Sequence, residues 1–271
     1  MCKRKPWRSR FQAAFWTPRR ERAFSRPKDY ADLYHGVAPI AGFLNQRLAY
    51  VLERLASIGG GRLLDAGCGP GILLNRLAGG PFELFGIDLS PEMIQEVQTT
   101  GPGKMMNLAV ARLEQVPYPD DFFDIILALG ILEYVDIEAA LKELARIAKP
   151  NALILVSMLN RKSLYWFWHM HIYRAWIVCK SLLGKRQSEP FPTLYKESVL
   201  EGMMKKCMIE PLAVTYYNVN ICVEPFGTRY STLASRLNHA VEHRAGKMLS
   251  HLVHTGLIIE AVKRRSIEAA T

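Results

Sequence analysis

From Leu63 onward, short apolar runs alternate with segments whose apolar residues recur every three or four positions. Runs at 82–87, 107–111, 125–129 and 152–158, together with Leu63-Leu64, predict five strands buried on both faces. The segments between them predict helices: Leu73, Leu74 and Leu77 line one, Met93, Ile94 and Val97 a second, and Ile137, Ala140, Leu141, Leu144 and Ile147 a third. Ser90 and Asp136 stand as N-caps of the second and third, and Pro91 as a first helical residue. Beyond residue 160 the pattern predicts a helix at 197–207 and strands at 212–223 and 255–263. Ahead of Leu63, residues 29–57 predict one long helix through Ile40, Phe43, Leu44, Leu48, Val51, Leu52 and Leu55. Such alternation is the mark of an α/β sheet covered by helices on both sides.

The first strand runs into Asp65-Ala66-Gly67-Cys68-Gly69-Pro70-Gly71. Glycines at this spacing let the backbone turn and approach a ligand with no Cβ in the way, and Pro70 suits the first turn of the next helix. The spacing is G-x-G-x-G; a dinucleotide site of the G-x-G-x-x-G kind would need glycine where Ile72 stands. Asp65 would repel a pyrophosphate but is able to bond an ammonium group, so a ligand with both carboxylate and amine fits better. Asp88 ends the second strand, 21 residues after Gly67, the distance at which an acid reaches a ribose hydroxyl pair.

These residues resemble the class I S-adenosylmethionine-dependent methyltransferases over roughly 61–158. Leu64-Asp65-Ala66-Gly67-Cys68-Gly69-Pro70-Gly71 is similar to the family's glycine motif, and Gly86-Ile87-Asp88-Leu89-Ser90-Pro91-Glu92-Met93 to its ribose motif. A third similarity lies at 111–124, where Arg112 occupies the position of the acid that commonly receives the adenine amino group. The resemblance implies a Rossmann-like, seven-stranded, mostly parallel sheet with its last strand antiparallel, and S-adenosyl-L-methionine as cofactor. It implies cofactor contacts from Asp65, Gly67, Cys68, Gly69, Gly71, Asp88, Leu89, Met93, Arg112, Leu113, Leu129 and Gly130. Arg112 is able to stack on the adenine ring and Leu113 to present its backbone N–H. The segment after strand four, Gly130-Ile131-Leu132-Glu133-Tyr134, lacks the Asn/Asp-Pro-Pro-aromatic box of amino-methylating nucleic-acid enzymes. No cysteine follows a proline, as cytosine-carbon methylases need, and acids there are too few for a metal-dependent catechol-type site.

Composition changes the picture mainly at the N-terminus. Of the net charge of +10, residues 1–28 carry +9, in a basic arm interleaved with Trp7, Phe11, Phe15, Trp16 and Phe24. The pattern suits an anionic membrane surface, RNA phosphates, a transit peptide or a disordered arm. Five cysteines without regular spacing, and no apolar h-region, lead us to expect a cytoplasmic protein, peripheral at the inner face of a membrane, with no disulfide or metal site. His239-Ala240-Val241-Glu242-His243 matches a zinc pattern, but with no third ligand evident it reads as a solvated helix face.

The domain organisation expected is thus an arm (1–28) and a single methyltransferase domain (29–271). Its cofactor half spans 58–159, with substrate-covering or inserted segments at 160–196 and 227–254. The first of these is rich in aromatics, yet Arg174 and Lys180 argue against a membrane span. The expected function is methyl transfer from S-adenosylmethionine to an O, N or C atom of a small apolar acceptor, lipid-like or polycyclic aromatic, by in-line displacement. An RNA methyltransferase using the arm, with nucleic acid otherwise not expected as a partner, and an inactive cofactor-binding partner subunit are the alternatives. Candidates for a catalytic base are Tyr34, His35, Glu133, Tyr134 and His169.

Overall fold

A computed structural model of the chain describes residues 27–35, 39–100, 102, 105–168, 171, 193–220 and 249–265, with short pieces between 233 and 241. The basic arm up to residue 26, His169, most of the aromatic segment and His239, Glu242 and His243 of the histidine motif lie outside the described residues. The elements are α1 (Pro27–Asp32), α2 (Pro39–Ala56), β1 (Gly61–Ala66), α3 (Ile72–Leu77), β2 (Phe82–Asp88), α4 (Pro91–Thr99), β3 (Asn107–Val110) and β4 (Phe123–Leu129). A short 3-10 turn (Leu132–Tyr134) follows, then α5 (Ile137–Ile147), β5 (Ala148–Leu159), α6 (Leu164–Trp168), α7 (Glu197–Lys206), β6 (Ile209–Val219), α8 (Ser250–Val253) and β7 (His254–Lys263).

The strands form one sheet in the order β3-β2-β1-β4-β5-β7-β6. All pairings are parallel except those of β7, which runs antiparallel to both β5 and β6. Alternate residues of the central strands feed two cores. Leu63, Leu127, Leu155 and Ile258 pack under α2, α3 and α4; Leu64, Ile126, Ile154 and Ile259 pack under α5 and α7. Two caps were legible: the Ser90 hydroxyl accepts the Met93 N–H at 3.3 Å, and Asp136 accepts those of Glu138 and Ala139.

Two expectations are corrected. The stretch 29–57 is not one helix: α1 begins at Pro27, and Pro39 opens α2. A proline disfavours helical backbone in the residue before it and suits a first turn, so it starts a new helix here. Pro70 likewise stands ahead of α3, because Gly69 (φ 51°) and Gly71 (φ 76°) are left-handed and α3 starts only at Ile72.

The strand order reverses at β1, whose neighbours are β2 and β4. In open parallel sheets a ligand crevice forms at such a reversal, beyond the carboxyl ends of the strands. The glycine turn, Asp88 and Gly130 all lie there.

Candidate active site

Asp88 organises the loops at the end of β2. Its Oδ2 accepts the Gly69 N–H and its Oδ1 the Ser90 N–H, both at 2.9 Å. A carboxylate offers about four lone-pair directions, so two remain for a ligand. Burial raises the Asp88 pKa, against the lowering pull of those backbone bonds. The same pair of strands shapes the glycine turn: the N–H groups of Gly67 and Cys68 both donate to the Ile87 carbonyl, at 2.8 and 2.9 Å. A Cβ on Gly67 (φ 83°) would come within 2.6 Å of Ile131, so this turn closes tightly against the residue after Gly130.

Around this frame the other expected cofactor residues divide. Asp65, buried, is the last residue but one of β1, and Leu129 ends β4 with Gly130 just beyond it. The Cys68 thiol is buried and its pKa raised by burial. Leu89 is partly exposed, whereas the Met93 and Leu113 side chains are buried in the protein. Arg112 points to solvent, 3.4 Å from Glu114, in a turn closed by the Gln115 N–H on the Arg112 carbonyl. Of the base candidates, His35 is exposed in a turn, Tyr134 is half-buried, and Tyr34 and Glu133 face a group that sequence reasoning missed.

That group is Arg47. It occupies the buried stripe of α2 (Ala41, Leu44, Arg47, Val51, Leu55) and is only 6% exposed. A charged residue at an apolar-stripe position was the available signal. Its guanidinium lies against Gly130, where a Cβ would sit 2.5 Å from a guanidinium nitrogen. Burial works against its charge, but the oxygens of Tyr217, Tyr30 and Tyr34 around it hold it protonated. Arg47 also lowers the pKa values of Asp65 and Glu133, yet burial outweighs it and lifts each to about 7. Burial likewise pushes the Tyr34 phenol up to about 12. Glu133 Oε1 accepts the Leu159 N–H at 2.8 Å, while its buried Oε2 has no hydrogen-bond partner among the described residues.

The Glu133 shift has a consequence for stability. Its folded pKa lies above the ordinary 4.5, so the folded chain binds an extra proton between about pH 4.5 and 7, and stability falls as pH rises through that window. We expect Glu133→Gln to stabilise the ligand-free protein by about 2–3 kcal/mol at about pH 8 and by much less at about pH 5. Urea denaturation at the two pH values measures it; equal effects at both would contradict the buried-carboxyl reading.

Turn, acid and glycine floor together form a cradle with a carboxylate for a hydroxyl pair, an acid for an amine and a cation for a carboxylate. S-adenosylmethionine carries all three groups, so the residues present fit it. A family profile described as a methyltransferase domain matches residues 64–156, the stretch holding this cradle. The stretch 64–156 is a methyltransferase domain similar to those of the class I S-adenosylmethionine-dependent family.

As a methyltransferase it uses S-adenosylmethionine as cofactor. It is 29% identical over 160 residues to a ubiquinone/menaquinone biosynthesis C-methyltransferase of Geotalea daltonii, covering 52% of this chain and 68% of that one. A ubiquinone biosynthesis O-methyltransferase of Bartonella bacilliformis is 27% identical over 199 residues, 67% of this chain and 79% of the relative. In fold, the methyltransferase is similar to an S-adenosylmethionine-dependent methyltransferase from Mesorhizobium loti, with a TM-score of 0.54 at 14% identity over 79% of this chain and 96% of that one. Among the described residues, no group of three or more His, Cys, Asp or Glu side chains could hold a metal ion. No described helix is long and apolar enough to cross a membrane.

Proposed function

We propose that this methyltransferase acts on an O, N or C atom of a small apolar acceptor, of the quinone-precursor kind for which its relatives are named. The observation that carries this reading is α6, which follows the carboxyl end of β5 and turns Leu164 and Phe167 outward, 60% and 59% exposed. Trp166 anchors the helix through its indole N–H on the Thr255 carbonyl at 3.0 Å. An apolar pair fixed beside the site suits the apolar tail of an acceptor.

When bound, S-adenosylmethionine supplies an already activated methyl group, so the protein's task is to bind, orient and dry the site. Asp88 takes the ribose hydroxyls, and Gly67, Gly69 and Gly71 allow close backbone approach. Asp65 faces the amine and Arg47 the carboxylate of the methionine end. Leu113 offers its backbone to the adenine edge, and Leu129 and Gly130 form the floor where the acceptor arrives. Among the base candidates we assign the proton to Glu133, whose unpartnered Oε2 is buried beyond the end of β4 and whose pKa of about 7 suits general base work.

The exposed apolar pair, the basic arm and the basic stretch around Arg236 and Arg244 also favour collection of the acceptor from an anionic bilayer. The test supplies a prenylated hydroquinone in anionic vesicles and the same ring without its tail in buffer. Leu164→Gln with Phe167→Gln should cut kcat/KM about tenfold for the tailed acceptor and leave the tailless one unchanged. The wild-type chain should float with the vesicles at low salt. Equal loss on both acceptors would contradict the tail-binding role, and a chain that stays in the soluble fraction would contradict the bilayer.

A further inference from the structure

Unpartnered polar atoms gather beyond the carboxyl ends of β4, β5 and β6. Besides Glu133 Oε2, the Ser157 and Tyr217 hydroxyls are buried side by side without a well-formed hydrogen bond among the described residues. Strand register explains why they meet. Gly256 of β7 pairs with Leu159 on one side and Tyr217 on the other, and a Cβ there would lie 2.5 Å from Tyr217 Cζ. The Tyr217 ring therefore lies over Gly256, and Phe43 packs against it with ring centroids 5.0 Å apart. The Leu159 N–H, on the same stretch of β5, holds the other oxygen of Glu133. Ser157 and Arg47 lie within hydrogen-bonding reach of the Tyr217 hydroxyl, and the charges of Arg47 and Glu133 act on it.

A buried polar atom left unpaired is costly, and three of them gathered at one end of the sheet call for an absent partner. The cluster comprises two hydroxyl donors and one carboxylate acceptor. An oxygen that has given up its proton has three lone pairs: two accept from the hydroxyls while the third stays free to attack. A neutral amine has a single lone pair, which the same donors would occupy.

Resting on the site assignment above, we propose that Tyr217 and Ser157 form an oxyanion-binding site for the acceptor, which is an acidic hydroxyl compound, a phenol or enol, rather than an amine. Glu133 Oε2 takes the hydroxyl proton, and Tyr217 and Ser157 donate to the resulting anion. For O-methylation, an oxygen electron pair forms the new bond to the methyl carbon as the carbon–sulfur bond breaks, its pair remaining on sulfur. For C-methylation the same anion is held through oxygen while the adjacent carbon supplies the pair; that carbon's proton then leaves to solvent. Arg47, behind Tyr217, strengthens its O–H as a donor.

The test uses the full chain saturated with S-adenosylhomocysteine and two optical probes, an alkylated 4-nitrophenol and the matching 4-nitroaniline. At a pH where the free phenol is mostly neutral, the bound phenol should show the phenolate spectrum, and the aniline should bind at least tenfold more weakly. Tyr217→Phe should lower the phenolate fraction and the phenol affinity about tenfold. It should also raise the melting temperature of the ligand-free chain, because an unpaired hydroxyl has been removed; Ser157→Ala should act in the same direction on both. Equal binding of the two probes, no binding of either, or a phenol bound neutral would overturn the proposal. Calorimetry with S-adenosylhomocysteine on the same samples separates this from failure of the cofactor site, which would remove the ground for both readings.

Discussion

Asp88→Ala is expected to weaken S-adenosylmethionine binding by a hundredfold or more. Two losses add. On the proposed assignment the carboxylate bonds to the ribose pair disappear, and hydrogen bonds to a charged group contribute about 1.5–3 kcal/mol each. The Gly69 and Ser90 N–H groups also lose their acceptor, so the glycine turn is no longer tied to β2. At about 1.4 kcal/mol per factor of ten, the ribose contacts alone account for the hundredfold. Asp88→Asn keeps one acceptor oxygen for the loop and should fall between alanine and wild type. Calorimetry on folded variants checks the order, and an alanine variant within threefold of wild type would contradict it.

Arg47→Met should carry the largest penalty in stability, about 3–5 kcal/mol, as expected when one partner of a buried ionic group is removed. Its charge acts on both Asp65 and Glu133, whose buried carboxyl groups then lose that cation. Methionine replaces most of the volume on the α2 stripe, so the loss reports charge rather than a cavity. Adding Glu133→Gln should recover part of it, since a neutral amide no longer needs the cation. Denaturant titration of the single and double variants measures both. A single-variant loss below about 1 kcal/mol would mean that the guanidinium carries little of the site's electrostatics.

Most elements between 61 and 158 were readable from the sequence because their signals are local. The caps at Ser90 and Asp136 depend on residues a few positions apart and form as expected, while the bond from the Gly69 N–H to Asp88 was not anticipated. Arg47 was readable in principle: its spacing from Leu44 and Val51 places it on the apolar face, where a charge signals a buried partner. The cluster around Tyr217 was not. Tyr217 meets Glu133 and Ser157 only through the register of β5, β7 and β6, across separations that no local pattern encodes. The break between α1 and α2 was signalled by Pro39 but masked by the continuous apolar periodicity around it.

The central claim is that the crevice between β1, β2 and β4 is built for S-adenosylmethionine. Calorimetric titration of the full chain with S-adenosylmethionine, S-adenosylhomocysteine and NADH tests it most directly. We expect one saturable site for the first two, with a Kd on the order of micromolar, and no binding of NADH. No heat of binding from either sulfur ligand, or saturable binding of NADH in their place, would contradict the account.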